Sequence, residues 1–342
     1  MRILVEVSNI VRFLIRVFWP SQTNEKDKAM TQAPYVDRGG EQVFQQPFVA
    51  KNVLFNGFLL EANLVQLKIL CDKYLNTPSG GKTAFEPAWP FVLLAFCDLK
   101  SLVSTTPPYN NWGWFSEKEA AIWLLMVDKN RERMFWFHPY IFVDNAYALT
   151  MGRELYGFPK GLGYFELPSD PENSDYFSMD TLVLKEFSTQ TQGTKEKFME
   201  ARRVAKSGKP PSPWGSALEM MKDLIQTVEH QSNIFKNLRL AFDTADDLLH
   251  GRAPMVFLKQ FRDVTNPAQA CYQSIVEAPS KMLGFSKGSL LHDEYEITLH
   301  EYASHPINSE LGLKAGPLKS LLSFQVEFDF EIGNGTEIWR AS

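Results

Sequence analysis

One lysine, Lys160, stands in the stretch Met151 to Phe165 (MGRELYGFPKGLGYF) among Tyr156, Phe158, Leu162, Tyr164 and Phe165. An amine with its ordinary pKa near 10.4 is almost wholly protonated at neutral pH and cannot attack a carbonyl carbon. Burial among aromatic groups disfavours the ammonium by up to roughly 3–5 units, which brings a neutral, nucleophilic amine into the working range. The same residues read more simply as Gly-Phe-Pro-Lys-Gly, a surface turn that leaves the lysine solvated. The residues alone leave both readings open.

Other groupings imitate chemistry without supporting it. Ser79-Gly80-Gly81-Lys82-Thr83 resembles the end of a phosphate-binding loop, but Asn76 stands where the first glycine is needed and no strand-to-helix transition surrounds it. His300 and His305 lie five apart, so they share no helical face and point to opposite sides of a strand, which rules out the helical zinc motif. Cys71, Cys97 and Cys271 are too scattered for a disulfide framework or a CxxC site, which predicts a reducing, cytoplasmic setting. No metal and no cofactor is expected. Thirty-five basic against 40 acidic side chains, net charge -5, exclude the basic surface that nucleic-acid binding requires. No uninterrupted apolar run reaches the roughly 18 residues needed to span a membrane.

The elements that must position Lys160 read mainly as strands. Apolar runs at Val53 to Leu60, Phe91 to Phe96, Ile122 to Val127 and Met134 to Phe137 have strand length and are bounded by Pro, Gly, Asn or Asp. Phe324, Val326, Phe328, Phe330 and Ile332 alternate with Gln325, Glu327, Asp329 and Glu331, and Tyr295, Ile297 and Leu299 alternate likewise; one face is buried and one wet, which favours antiparallel pairing. A helical insertion is expected at about 194–250, where Ser216 and Glu219 form a capping box ahead of Leu218, Met221, Leu224, Ile225 and Val228. The basic residues before it, Lys195 to Lys209, read as a solvated helix and loop, or as an anion-attracting flap. Residues 1–19 are expected as an amphipathic helix, read as a docked segment, as the product of an upstream start with Met30 the true beginning, or as a weak membrane-surface contact. A polar tether runs to residue 47, and the folded domain is expected over 48–342.

At Lys160 the sequence resembles the acetoacetate decarboxylase family, whose signature is a Gly-Arg-Glu run, a short aromatic-containing spacer and then Pro-Lys. Here Gly152-Arg153-Glu154 leads to Pro159-Lys160, and Leu162-Gly163-Tyr164 continues the match. Upstream, Phe115-Ser116-Glu117 matches the family's aromatic, hydroxyl and glutamate residues facing the lysine; downstream, Phe257-Leu258-Lys259 through Pro267 to Cys271 and Thr298-Leu299-His300-Glu301 resemble its later strands. The resemblance spans about residues 48–325. It implies an α+β, mainly antiparallel fold, a cone or barrel of strands with flanking helices that encloses a cavity, and a homo-oligomer.

The same resemblance implies a Schiff base between Lys160 and a substrate carbonyl, with Glu117 moving a proton or orienting the substrate, and Tyr156, Phe158, Arg153 and Phe115 around the pocket. Two departures bear on the substrate. Gly161 replaces the second lysine of the decarboxylase proper, and Asn52 and Ala95 stand where an arginine and another glutamate would meet a carboxylate. A small β-oxo acid would then be unpaired on burial, at a cost of several kcal/mol, so a larger or differently charged oxo compound is expected. Decarboxylation and aldol–dehydratase chemistry share the iminium and are not separated. The alternative is a non-enzymatic barrel that binds an apolar small molecule.

Overall fold

The computed structural model describes residues 33–37, 44–168, 174–232 and 254–341. The helix expected over 1–19, most of the tether, the Met30 start and the latter part of the insertion lie outside the described residues. The chain divides into units 1–38 and 39–342. Of the first, only the exposed, irregular residues 33–37 are described.

The second unit is built on strands. β1 (Phe48–Glu61) is followed by helix α1 (Leu64–Cys71), β2 (Phe85–Pro87), β3 (Phe91–Ser104), β4 (Phe115–Asp128) and β5 (Arg133–Val143). Helix α2 (Ala146–Met151) then leads through a π-turn, Gly152–Tyr156, into β6 (Lys160–Glu166), β7 (Tyr176–Val183), β8 (Thr194–Ala205) and β9 (Ser212–Trp214). Helix α3 (Ala217–Ser232) precedes β10 (Met255–Arg262), β11 (Ala270–Ala278), β12 (Ser280–Leu291) and β13 (Glu294–Leu299). Helix α4 (Ile307–Leu311), β14 (Leu318–Lys319), β15 (Leu322–Ile332) and β16 (Thr336–Arg340) complete the described chain.

The strands form one sheet in the order β14-β13-β8-β7-β6-β5-β4-β3-β1-β15-β12-β9, with β10, β11, β16 and β2 branching from it. Pairing is antiparallel except where β5 meets β6 and touches β10. The mainly antiparallel α+β expectation holds, but the closed barrel does not: among the described residues the strand order runs from end to end without returning on itself. Its terminal strands are two and three residues long. Pro213 lies in the latter and has no N–H to offer a further partner, which blunts that edge.

The predicted insertion also starts differently. Residues 194–205, expected as a solvated helix and loop, are strand β8, paired on one side with β7 and on the other with β13. Phe198, Met199 and Ala201 give it a buried face that the many basic residues obscured. The helix itself begins where the capping box placed it: Glu219 N–H donates to Ser216 Oγ at 3.2 Å, and the Glu219 carboxylate accepts from Gly215 N–H at 2.7 Å. It buries Met220, whereas Leu218 is exposed, so its inward face is rotated from the predicted one.

Candidate active site

Alternation along β4 places Glu117 and Glu119 on one face of the strand, because side chains two apart point the same way. Lys160 opens β6, where Ile141 and Phe142 of β5 pair in parallel with Lys160 and Gly161. The turn before it fixes the lysine's approach. Asn145 caps α2 by accepting from Ala148 N–H at 2.9 Å. The π-turn ends at Gly157, whose φ of 83 and close approach to the Lys259 backbone, 2.5 Å from where a Cβ would sit, both require glycine. Gly157 and Phe158 both donate their N–H to the Gly152 carbonyl at 3.0 Å, and Lys160 N–H donates to the Phe158 carbonyl at 2.7 Å.

Gly152 has a different reason. A Cβ there would lie 2.7 Å from Lys160 Cδ, so the absent side chain is the space through which the lysine passes. Lys160 Nζ donates to Glu117 Oε1 at 2.7 Å and lies 3.8 Å from Glu119 Oε2; the Lys160 and Glu117 side chains are 7% and 2% exposed. The amine also stands 5.6 Å from the centre of the Phe158 ring.

Burial works against the Lys160 ammonium, but the carboxylates of Glu117 and Glu119 outweigh it and hold the lysine above its ordinary pKa. The neutral amine expected from aromatic burial is thus not the resting state of the free protein. That expectation omitted the charges on β4. Glu119 moves in turn: burial pushes it up to about 7, against the pull of Lys160 and with the help of neighbouring Glu117.

These three groups face a cavity of about 300 Å3 whose wall is overwhelmingly apolar. The predicted buried face of β15, Phe324 through Ile332, forms one side, and Met220, Met221 and Leu224 of α3 form another. Tyr156 and Phe158 also line it. Arg153 and Phe115 are not on the wall: Arg153 Nη1 donates to the Lys160 carbonyl at 3.1 Å, and Phe115 stacks on Tyr147 at 5.6 Å. Among the described residues no arginine lines the cavity, and the one other lysine on its wall is Lys281, which is paired to Glu331 at 3.2 Å. Asn52 sits on a β1 bulge against Asp329, and Ala95 is buried in β3; neither reaches the cavity. Gly161 cannot carry a second lysine without displacement, since a Cβ would meet the Phe142 ring at 2.8 Å.

Sequence reasoning missed Glu119 and His138 on this wall. Glu119 was readable from its spacing, two residues beyond Glu117 on a strand. His138 carried no signal, being one histidine at the end of an apolar run. It is 2% exposed, with its ring 3.9 Å from that of Trp123 and 5.6 Å from that of Phe257. Burial and the nearby Lys160 charge push it down to about 3, so the imidazole is neutral.

The family model for acetoacetate decarboxylase matches residues 82–185, the segment that carries Glu117, Glu119, His138 and Lys160. Comparison with curated proteins gives no match. Among solved structures, the acetoacetate decarboxylase of Legionella pneumophila is similar over 93% of this chain and 98% of its own, at 14% identity and a TM-score of 0.58. An acetoacetate decarboxylase-like enzyme from Sphingomonas wittichii is similar over 87% and 95%, at 14% identity and a TM-score of 0.54. The enduracididine biosynthesis enzyme MppR, complexed with pyruvate, is similar over 86% and 91%, at 12% identity and a TM-score of 0.53. The likeness in fold therefore extends over nearly the whole chain, well beyond the matched segment.

Proposed function

We propose that this chain, a divergent member of the acetoacetate decarboxylase family, is a cofactor-independent lyase in which Lys160 forms a Schiff base with the carbonyl group of a largely apolar substrate. The observation that carries this reading is the Lys160 amine, buried on the wall of an apolar cavity and hydrogen-bonded at 2.7 Å to Glu117. A surface turn with a solvated lysine does not fit a side chain 7% exposed.

The resting ammonium must first lose a proton, and Glu117 is the group in hydrogen-bond reach to take it. An apolar substrate that expels water from the cavity favours this step, because desolvation penalises the charged pair more than the neutral one. The freed lone pair adds to the carbonyl carbon. The carbonyl oxygen takes up two protons and leaves as water, giving an iminium. Glu119, held at about 7, is suited to supply a proton here near neutrality. The iminium then accepts the electron pair of an adjacent carbon–carbon or carbon–hydrogen bond. The enamine so formed is protonated at carbon, and water releases the product and restores Lys160.

MppR has been seen with the condensation product of pyruvate and imidazole 4-carboxaldehyde, so both aldol-type and decarboxylation outcomes have relatives of this fold. That the described wall carries no arginine supports a larger oxo compound over a small β-oxo carboxylate. The test is borohydride trapping with a panel of oxo acids, ketones and aldehydes, followed by peptide mass analysis of wild type and Lys160→Ala. An adduct on the Lys160 peptide, lost in the variant, is the expected result. Absence of an adduct with every compound refutes the lyase and leaves a protein that binds an apolar molecule, the second reading that the apolar wall supports.

A further inference from the structure

Strand register fixes where the reacting amine sits along the cavity. The inward face of β15 carries Leu322, Phe324, Val326, Phe328, Phe330 and Ile332, and all six line the cavity. Across the sheet, Val326 pairs with Phe55, Phe55 with Cys97 and Cys97 with Glu119; Phe328 pairs with Val53, Val53 with Leu99 and Leu99 with Glu117. The two carboxylates that face Lys160 Nζ therefore stand level with the middle pair of the six, and the amine stands with them. At about 3.3 Å of rise per residue, the wall runs on for four residues, about 13 Å, from Val326 to Leu322, and as far again from Phe328 to Ile332.

Both directions are walled by apolar groups. On one side the row of Leu322 continues through Leu59 and Leu93 to Trp123; on the other Ile332 pairs with Phe48, and all of these line the cavity. Ser280, paired with Ile332, and Lys281 end that second side, where Glu331 already pairs the Lys281 charge at 3.2 Å. A cavity with its amine at a closed end would take an aldehyde or a methyl ketone. One with its amine halfway along takes a carbonyl that is substituted on both sides. We propose that the substrate of this site is an internal ketone, its carbonyl flanked by two apolar arms of similar length. This rests on the Lys160 reading for the position of the carbonyl and names the substrate class that the chamber fits.

The volume sets the size. About 300 Å3 accommodates roughly ten non-hydrogen atoms at ~30 Å3 apiece, the share of one water molecule in the liquid. The nonanones are of this size and differ only in where the carbonyl stands. 5-Nonanone puts a butyl group in each arm, whereas 2-nonanone must press a heptyl group into one arm and leave the other to a methyl group, so that less of its apolar surface is buried.

The test uses the full chain and the isomers 2-, 3-, 4- and 5-nonanone. Reversible binding is measured by calorimetry without borohydride, and adduct formation on Lys160 separately with it. 5-Nonanone is expected to bind at least tenfold tighter than 2-nonanone, about 1.4 kcal/mol, with the other two isomers in between. Filling either arm removes that preference: Leu93→Trp on one side and Ile332→Trp on the other are each expected to weaken 5-nonanone at least tenfold. 2-Nonanone, which can turn its heptyl group into whichever arm stays open, should keep its affinity within about threefold in both. The two substitutions lie on different strands, so a folding defect in one leaves the other to decide. Equal affinity across the isomers, tightest binding of 2-nonanone, a preference that survives both substitutions, or no binding of any isomer overturns the inference. A preference for 5-nonanone without any adduct upholds the two-armed chamber and refutes the Schiff base, whereas adducts that favour 2-nonanone uphold the Schiff base and overturn the internal ketone.

Discussion

Glu119 should govern when Lys160 can react. Its carboxylate lies 3.8 Å from Lys160 Nζ, and two unit charges at that separation interact by about 4 kcal/mol at an effective dielectric near 20. At roughly 1.4 kcal/mol per decade this sets a ceiling of about three decades on the neutral-amine population that Glu119 suppresses. Its side chain is 13% exposed into the cavity and Glu117 remains in place, so the measured effect falls below that ceiling. The suppression acts only while Glu119 is ionised, and Glu119 titrates at about 7. Glu119→Gln is therefore expected to raise the rate of borohydride-trapped adduct formation at least tenfold at about pH 8.5. At about pH 5.5 the wild-type carboxyl is already protonated, and the variant-to-wild-type ratio should fall to one or below, since a glutamine cannot act as an acid. Single-exponential trapping rates across this range are the assay. A ratio that stays flat with pH, or a variant slower than wild type at the alkaline end, would refute the assignment.

Three further outcomes follow from other contacts. His138 is held at about 3, below its ordinary 6.5, so it contributes stability that is present above pH 6.5 and lost as the pH falls toward 3; His138→Phe should gain about 3 kcal/mol relative to wild type between pH 7 and pH 4. Urea unfolding at the two pH values checks this, and a constant gap counts against it. Gly152→Ala places a methyl group 2.7 Å from Lys160 Cδ; trapping should drop at least tenfold for a stability loss of roughly 1–3 kcal/mol, read by adduct yield beside thermal unfolding. Gly161→Lys, which would restore a second lysine, should cost roughly 1–3 kcal/mol because the Phe142 ring occupies the space, and a variant as stable as wild type would show that the ring moves aside.

How much could be read before the structure depends on whether a feature is local. The alternation of Phe324 to Ile332 named strand β15 and its buried face, and Ser216 with Glu219 marked the start of α3, because each is a matter of spacing along one element. Lys160 and Glu117 were singled out through family resemblance rather than through spacing. What escaped depends on neighbours distant in sequence. The charge on Lys160 is decided by β4, 43 residues upstream, so an argument from adjacent aromatics gave the wrong direction for its pKa. His138 is placed by packing against Trp123 and Phe257, neither of them a neighbour in sequence. Strand β8 was hidden by its four lysines and arginines, which outnumber the three residues it buries. The open sheet order escaped because closure depends on whether the two end strands meet, which no periodic pattern along one strand records.

Helix α3 contributes Met220, Met221 and Leu224 to the cavity wall, and it is tied to the sheet through a side chain of the short end strand β9, where Trp214 Nε1 donates to Asp223 Oδ2 at 2.8 Å. Lys160, Glu117 and Glu119 are tied to the strand register, where a one-residue slip would turn them away from the cavity. The wall that α3 supplies is not set by strand register, its tie to β9 being a side-chain hydrogen bond. Substitutions on α3 can reshape the chamber while the reacting groups keep their spacing, and methionine, unbranched and polarisable, adapts to varied apolar shapes. Reaction chemistry and substrate choice thus reside in separately mutable parts of the same chamber, and a library confined to α3 would explore the second without touching the first.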